Sequence, residues 1–345
     1  MDVGPRHKRA RWGGGGAGRP AGTVAGMTVR LTVQREAWQA HVRAIAQAYG
    51  PGLIPVMKGN GYGFGRATLL PFAAELADTV GVGSAHELAD VPAALAPVVL
   101  TPTLEPPQHA RAIFTVDHPA HVDALAGRDN GVVLKLASSM RRYGVDPDGV
   151  AGLATQVQRA GLRLHAYGLH LPLAGDDSAR LAEIEAWLPH LSPDVPLWLS
   201  HLTPESFREL QARHPARTLG IRVGTRLWMG IPKGDFLHLS ADVLHTRPVR
   251  AAERVGYTLA PVPCDGTLVA VGAGSAHGVA PLDHTDPARR SPFHFARERL
   301  TLAEPPHMHT SLVVVPTGHP VPQVGDRVDV QRPLIYTYFD EVEWR

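Results

Sequence analysis

The sequence predicts an α/β protein: a (β/α)8 barrel of the TIM type followed by an all-β domain. Two observations carry that expectation. Eight short apolar runs recur between Ile54 and Val223, separated by segments long enough for a crossover helix. After about Asp235 the helical texture stops, and strand-like runs alternate with Pro- and Gly-rich connections. Eight β units alternating with helices indicate a closed parallel barrel. The alternative, a doubly wound sheet, more often stops at about five or six strands.

The chain begins with a Gly-rich stretch that carries Arg6, Lys8, Arg9, Arg11 and Arg19 against Asp2. The formal net charge of +2 therefore belongs to this tail, and the remainder is mildly acidic. Residues 1–26 read as disordered and basic, and a start at Met27 is the simplest account of them. The tail has no apolar core of a secretory signal. Its glycines, with Trp12 as the lone aromatic, argue against a nucleic-acid arm. Thr28–Val33 is strand-like and opens a barrel domain expected over 27–240, with the β domain over 241–345.

The barrel runs are Ile54–Met57, Val80–Val82, Val98–Leu100, Ile113–Val116, Val132–Leu136, Leu164–Leu171, Leu197–His201 and Leu219–Val223. Thr203-Pro204-Glu205-Ser206 reads as an N-cap with proline at the first helical position. Asp177-Ser178 leads into Leu181, Ile184 and Leu188, a helical spacing. In the second half Val255–Leu259, Leu268–Val271, Ser311–Val315, Val328–Val330 and Leu334–Phe339 read as strands. Phe295–Leu300 is the one stretch there that could be helical, and 283–292 reads as an exposed loop.

An apolar share of 44% and a charged share of 19% suit a soluble protein. No apolar run approaches the ~20 residues of a membrane span. The single cysteine, Cys264, excludes an intrachain disulfide and fits the cytoplasm.

The chemistry gathers where strands end. The first barrel run ends in Lys58-Gly59-Asn60-Gly61-Tyr62-Gly63-Phe64-Gly65. A lysine closing a buried strand before a glycine loop is a candidate Schiff-base former, since desolvation lowers its pKa and frees the amine. Lys135 ends the fifth strand, with Arg141 and Arg142 just beyond. His170 and His201 end the sixth and seventh. Arg222 lies inside the eighth, and the backbone N–H groups of Gly224 and Thr225 follow as an anion site. This set suits an anionic, aromatic ligand with a carbonyl to condense. Taken singly, Arg141-Arg142 reads as a solvated pair and the histidines as structural residues. Arg222 is harder to dismiss, because a charge in an apolar strand needs a buried partner. His307-Met308-His309 and Cys264 with His277 lack metal-ligand spacing, so no metal is expected.

The order of these residues resembles the alanine racemase family. Val56-Met57-Lys58-Gly59-Asn60-Gly61-Tyr62-Gly63-Phe64-Gly65 is similar to the family's pyridoxal-phosphate lysine motif. Gly83-Ser84-Ala85-His86-Glu87-Leu88-Ala89, Lys135–Gly144 and Gly220-Ile221-Arg222-Val223-Gly224 resemble further family motifs. The resemblance spans nearly all of 27–339 and implies a pyridoxal 5'-phosphate enzyme interconverting L- and D-amino acids, alanine first. It implies that Lys58 holds the cofactor as a Schiff base and acts as one catalytic base. Tyr62 and Tyr336 would contact the phosphate, with Gly224, Thr225 and His201 also lining the cofactor. Arg222 would face the pyridine nitrogen, and Arg142 the phenolic oxygen and substrate carboxylate. Lys135 matches a lysine that is often carbamylated. Met308 would reach the substrate from the partner subunit of a homodimer.

One position departs. The tyrosine that serves the family as the opposite base is Ser275 here, in Gly274-Ser275-Ala276-His277-Gly278, and its supporting histidine is missing at Leu171-Pro172-Leu173. Ser275 through water, or His277, would have to fill the role. The alternatives are an enzyme of the same fold acting on another amino acid, as a decarboxylase, dehydratase or aldolase, or a cofactor-binding protein without racemase turnover.

Overall fold

The structure, a computed structural model, describes residues 28–281 and 290–345. The tail at 1–26 and most of the loop expected at 283–292 lie outside the described residues.

Strand β1 (Val29–Val33) is followed by the first helix, α1 (Arg35–Tyr49). Then come the barrel strands β2 (Leu53–Pro55), β3 (Thr79–Val82), β4 (Ala96–Val99), β5 (Ile113–Val116), β6 (Gly131–Leu136), β7 (Arg163–Leu169), β8 (Leu197–Ser200) and β9 (Leu219–Val223). All eight expected runs are strands, parallel, in the order β2-β9-β8-β7-β6-β5-β4-β3. A single parallel bridge between Val56 and Gly81 closes the seam between β2 and β3. Ile54, Val98, Ile113, Val133, Ala166 and Trp198, one from each of six strands, form a cluster of their own inside the barrel. Gly220 makes room for it, since a Cβ there would lie 2.6 Å from the Trp198 ring.

Helices α2 (Arg66–Leu76), α3 (Pro119–Asp123), α4 (Val150–Arg159), α5 (Asp177–Trp187), α6 (Pro204–Arg213) and α7 (Thr225–Met229) follow their strands. The expected cap of α6 is present: the Thr203 hydroxyl accepts the Ser206 N–H at 3.3 Å, with Pro204 in the first turn. Two crossovers differ from a regular barrel. A short 3-10 stretch, Ala85–Asp90, joins β3 to β4, and no helix joins β4 to β5.

In α1 the buried positions Trp38, Val42 and Tyr49 fall on one stripe. The Trp38 indole N–H donates to the Trp228 carbonyl, and the Trp228 indole N–H donates to the Val56 carbonyl, both at 2.8 Å. Trp38 also meets the Trp344 ring edge-on at 5.2 Å. This chain of indoles ties α1, α7, the second sheet and the end of β2 together, two residues short of Lys58.

The expected domain boundary at residue 27 does not match the sheets. Strand β1 lies in the second sheet, antiparallel to β10 (Leu237–Val249) and parallel to a strand at Glu341–Trp344. The barrel sheet begins only at Leu53. The strand-like pattern of 28–33 was read correctly, but its partners lie more than two hundred residues away. Strand β10 crosses the expected boundary at 240 and pairs with Gly266–Val271 through its second half, after a register shift between Val243 and His245.

Three other expectations in this half are corrected. Val255–Leu259 is mostly the turn between short strands at Arg254–Val255 and Ala260–Pro261, with Gly256 and Leu259 at positive φ. Phe295–Leu300 is a tight hairpin, Phe293–Phe295 with Glu298–Arg299, whose turn residues Ala296 and Arg297 are left-handed. Leu334–Phe339 contains a 3-10 turn, Leu334–Tyr336, closed by the Tyr336 N–H on the Pro333 carbonyl.

Candidate active site

The carboxyl ends of the barrel strands bring the basic side chains together. Lys58 follows β2, Lys135 lies in β6, Arg142 in the loop after it, His170 after β7, His201 after β8, and Arg222 in β9. The Lys58 side chain reaches the surface of the mouth, yet its amine is held below the usual lysine range. Burial by surrounding atoms is the largest cause, followed by the charges of Arg142 and Arg222, with Glu87 opposing. Lys135 is 4% exposed, and its pKa falls to about 6, through burial first and then Arg222 and Arg142. It is therefore mostly neutral at pH 7.

Arg222 donates Nε–H to the Leu199 carbonyl at 3.3 Å and Nη2–H to the Leu169 carbonyl at 2.9 Å. These two carbonyls fix its plane across β7 and β8, and no hydrogen bond from Nη1 is found among the described residues. Burial, with Arg142 adding to it, lowers its pKa to about 10, so it stays cationic at neutral pH.

The two histidines are locked in complementary forms. Burial, then Arg222 and Lys135, push His170 down to about 2, so its ring is neutral. The Ser200 hydroxyl accepts the Leu171 N–H at 3.2 Å and lies 2.8 Å from His170 Nδ1; with His201 Nδ1–H committed to a carbonyl, His170 Nδ1 is the acceptor left for the hydroxyl proton, which assigns the ring proton of His170 to Nε2. His201 donates Nδ1–H to the Leu171 carbonyl at 2.6 Å, and its backbone is left-handed, with φ of 63°. Burial lowers its pKa, so its Nε2 carries a lone pair. His170 thus presents a donor and His201 an acceptor.

Tyr62 is 7% exposed and also left-handed, at φ 56°. Burial raises the pKa of its phenol, which stays protonated. A Cβ on Gly224 would lie 1.8 Å from the phenol oxygen, so the glycine leaves the space that the tyrosine fills. Gly224 and Thr225 open the short helix α7 beside it.

The other expected site residues lie in the second half of the chain. Tyr336 is 63% exposed, on a turn that abuts the Lys58 loop: the Asn60 side-chain amide donates to the Thr337 carbonyl at 2.9 Å. Ser275 and Met308 are exposed, and the Ser275 and Ala276 N–H groups bond the His307 and Met308 carbonyls at 2.8 Å. His277 is buried. Its Nδ1 accepts the Gly274 N–H at 3.2 Å, and its Nε2 lies 3.4 Å from the Asp340 carboxylate. The hydrogen bonds and ion pair found for Ser275, His277 and Met308 join them to the second half of the chain, the His277 carbonyl accepting the Tyr338 N–H at 3.0 Å on the turn that abuts the Lys58 loop. Among the described residues no group of three or more His, Cys, Asp or Glu side chains converges as a metal site would require.

Sequence reasoning missed Ser200 and Trp228 as supports of His170 and the Lys58 strand. Their contacts leave no local sequence signal. Glu87, within the Gly83–Ala89 motif, likewise bonds groups that the sequence does not pair with it, the Gly59 and Gly83 N–H groups.

A lysine after the first barrel strand with Arg142 and Arg222 close by, a phenol packed on Gly224 at the end of the last strand, and a β domain following, define an alanine-racemase-like barrel protein. The alanine racemase N-terminal domain family matches residues 33–232, and the chain belongs to that family. Its fold is similar to the alanine racemase of Bartonella henselae with covalently bound pyridoxal phosphate, at 18% identity and a TM-score of 0.72, over 92% of this chain and 99% of that one. The alanine racemase of D-cycloserine-producing Streptomyces lavendulae matches at 18% identity and 0.70, over 93% and 98%. That of Corynebacterium glutamicum matches at 17% and 0.69, over 92% and 100%. No curated protein sequence matches the chain.

Proposed function

We propose that this chain is a pyridoxal-phosphate enzyme that moves the α-proton of an amino acid, alanine first, and so interconverts its enantiomers. The observation that carries the reading is the convergence of a depressed Lys58 amine with Arg142 and Arg222 at one barrel mouth, and of the Tyr62 phenol with Gly224. The residues fit the cofactor: Gly224, with no Cβ, lets the Tyr62 phenol sit against the backbone N–H groups that open α7, and among the described residues Arg222 makes no hydrogen bond from Nη1. When bound, pyridoxal phosphate would supply the carbonyl that condenses with amines and the ring that draws electrons from Cα.

The chain's own residues would do the rest. Lys58 would anchor the cofactor and carry a proton to and from one face of Cα. Tyr62, Gly224, Thr225 and Tyr336 would hold the phosphate, and His201 would line the ring. Arg222, a fixed cation, would keep the pyridine nitrogen unprotonated, which makes a weaker electron sink suited to proton exchange. Arg142 would hold the substrate carboxylate. The neutral amine of Lys135 is the form able to take up carbon dioxide, and its carbamate would face Arg142. In a cytoplasmic homodimer, Met308 and Ser275 would approach from the partner subunit. Ser275, acting through water, is the better candidate for the opposite face, since both His277 ring nitrogens are engaged.

The exposed Ser275 also supports a second reading, an enzyme of this fold acting on another amino acid without a second base. Two measurements decide. A visible band that borohydride abolishes, with the reduced adduct mapped to Lys58, is expected; its absence overturns cofactor anchoring. Solvent deuterium entering Cα of both alanine enantiomers supports racemisation, whereas exchange into one enantiomer alone favours the second reading.

A further inference from the structure

Lys58 lies at the weakest line of the barrel. Strands β2 and β3 share one bridge, Val56 with Gly81, extended by the Met57 N–H on the Gly81 carbonyl at 2.8 Å. Beyond it the two chains separate into loops, and the next pair in step would be residues 58 and 83, a rung made by the N–H groups of residues 59 and 83. At that step stands the Glu87 carboxylate. One oxygen accepts the Gly59 N–H at 3.0 Å, and the other accepts the Gly83 N–H at 2.7 Å. Gly83 is required for this approach: a Cβ there would lie 3.0 Å from both Lys58 Cβ and a Glu87 oxygen. The N–H groups on both sides of Lys58, at Met57 and Gly59, are thus bound across the seam.

We infer that Glu87 is the positioning residue for Lys58. Its carboxylate replaces the missing rung of the barrel, fixes the backbone that carries the amine, and sets a negative charge against Arg142 and Arg222. A charged acceptor suits two converging N–H donors better than a neutral one, which can offer only one oxygen. The assignment deepens the function proposed above, because it gives the lysine that would anchor the cofactor its support.

Two variants separate geometry from charge. Glu87→Gln keeps the size but turns an amide N–H toward one of the two donors and removes the charge. Glu87→Asp keeps the charge and shortens the reach. In cofactor-free protein, the pH dependence of Lys58 labelling by trinitrobenzenesulfonate, read by peptide mapping, reports the amine. Hydrogen exchange at Gly59 and Gly83 reports the clamp. For Glu87→Gln the Lys58 titration is expected to move to lower pH, with labelling at pH 7 faster by up to about tenfold per pKa unit, and both amides to exchange at least tenfold faster. For Glu87→Asp the amides are expected to exchange faster while the titration stays near wild type. Unchanged titration and exchange in Glu87→Gln overturn the assignment. So does a fall in thermal stability with no change at Lys58, which marks a merely structural carboxylate. If the wild-type protein forms no borohydride-sensitive band, the cofactor reading fails, and the labelling experiment still decides the role of Glu87.

Discussion

The Tyr62 phenol occupies the volume that any side chain at residue 224 would need, 1.8 Å from where a Cβ would stand. Two loops at opposite ends of the barrel sequence are therefore fitted to each other at the start of α7. Gly224→Ala is expected to displace Tyr62 and to weaken pyridoxal-phosphate binding at least tenfold, measured by fluorescence titration. The backbone of Gly224 lies at negative φ, so the effect is one of packing, costing about 1–3 kcal/mol of stability.

Lys135 gives the fold a pH dependence. Its folded pKa, about 6, lies below the ordinary lysine value of 10.5. The folded state therefore binds fewer protons than the unfolded state between those values, and stability is lost as pH falls from about 10 toward 6. Lys135→Met removes this penalty. In urea unfolding the variant is expected to match wild type near pH 10 and to gain on it progressively down to pH 6, by a few kcal/mol at most.

Ser275 and His277, two residues apart, differ in their surroundings. His277 ties Gly274 to Asp340, so His277→Ala is expected to lower stability by about 1–3 kcal/mol without changing the product formed. Ser275 is exposed, with room for a larger ring. Ser275→Tyr is expected to raise alanine racemisation at least tenfold, because a positioned general base contributes about 10²–10⁴. Coupled-enzyme assay of both directions checks the gain, and calorimetry checks the loss.

The indole chain behind Lys58 supports the strand that carries it. Trp228→Phe keeps most of the packing and leaves the Val56 carbonyl without its donor, at a cost of about 1–3 kcal/mol. Lys58 labelling should shift with it, since Val56 is two residues away. Trp38→Ala, at a fully buried position, is expected to cost about 3–5 kcal/mol. Chemical denaturation measures both.

The barrel was legible because each of its strands is buried on both faces, so eight apolar runs stand out from helices that keep a polar side. Lys58, Lys135 and Arg222 were legible for the same reason, as charges closing or interrupting those runs. The histidines were visible only as candidates. His170 and His277 are alike in sequence terms, and polar contacts with distant groups decide between them: the Ser200 hydroxyl for one, the Asp340 carboxylate for the other.

The amino-acid order by itself determined the number and direction of the barrel strands and the lysine at the head of the first. The tertiary structure decided what local pattern cannot carry. It put β1 in the second sheet, because a strand's partners are set by which edges meet and not by its own alternation. It fitted Tyr62 to Gly224, and it closed the barrel seam beside Lys58 with one carboxylate, since contacts across distant loops exist only once the chain has folded around them.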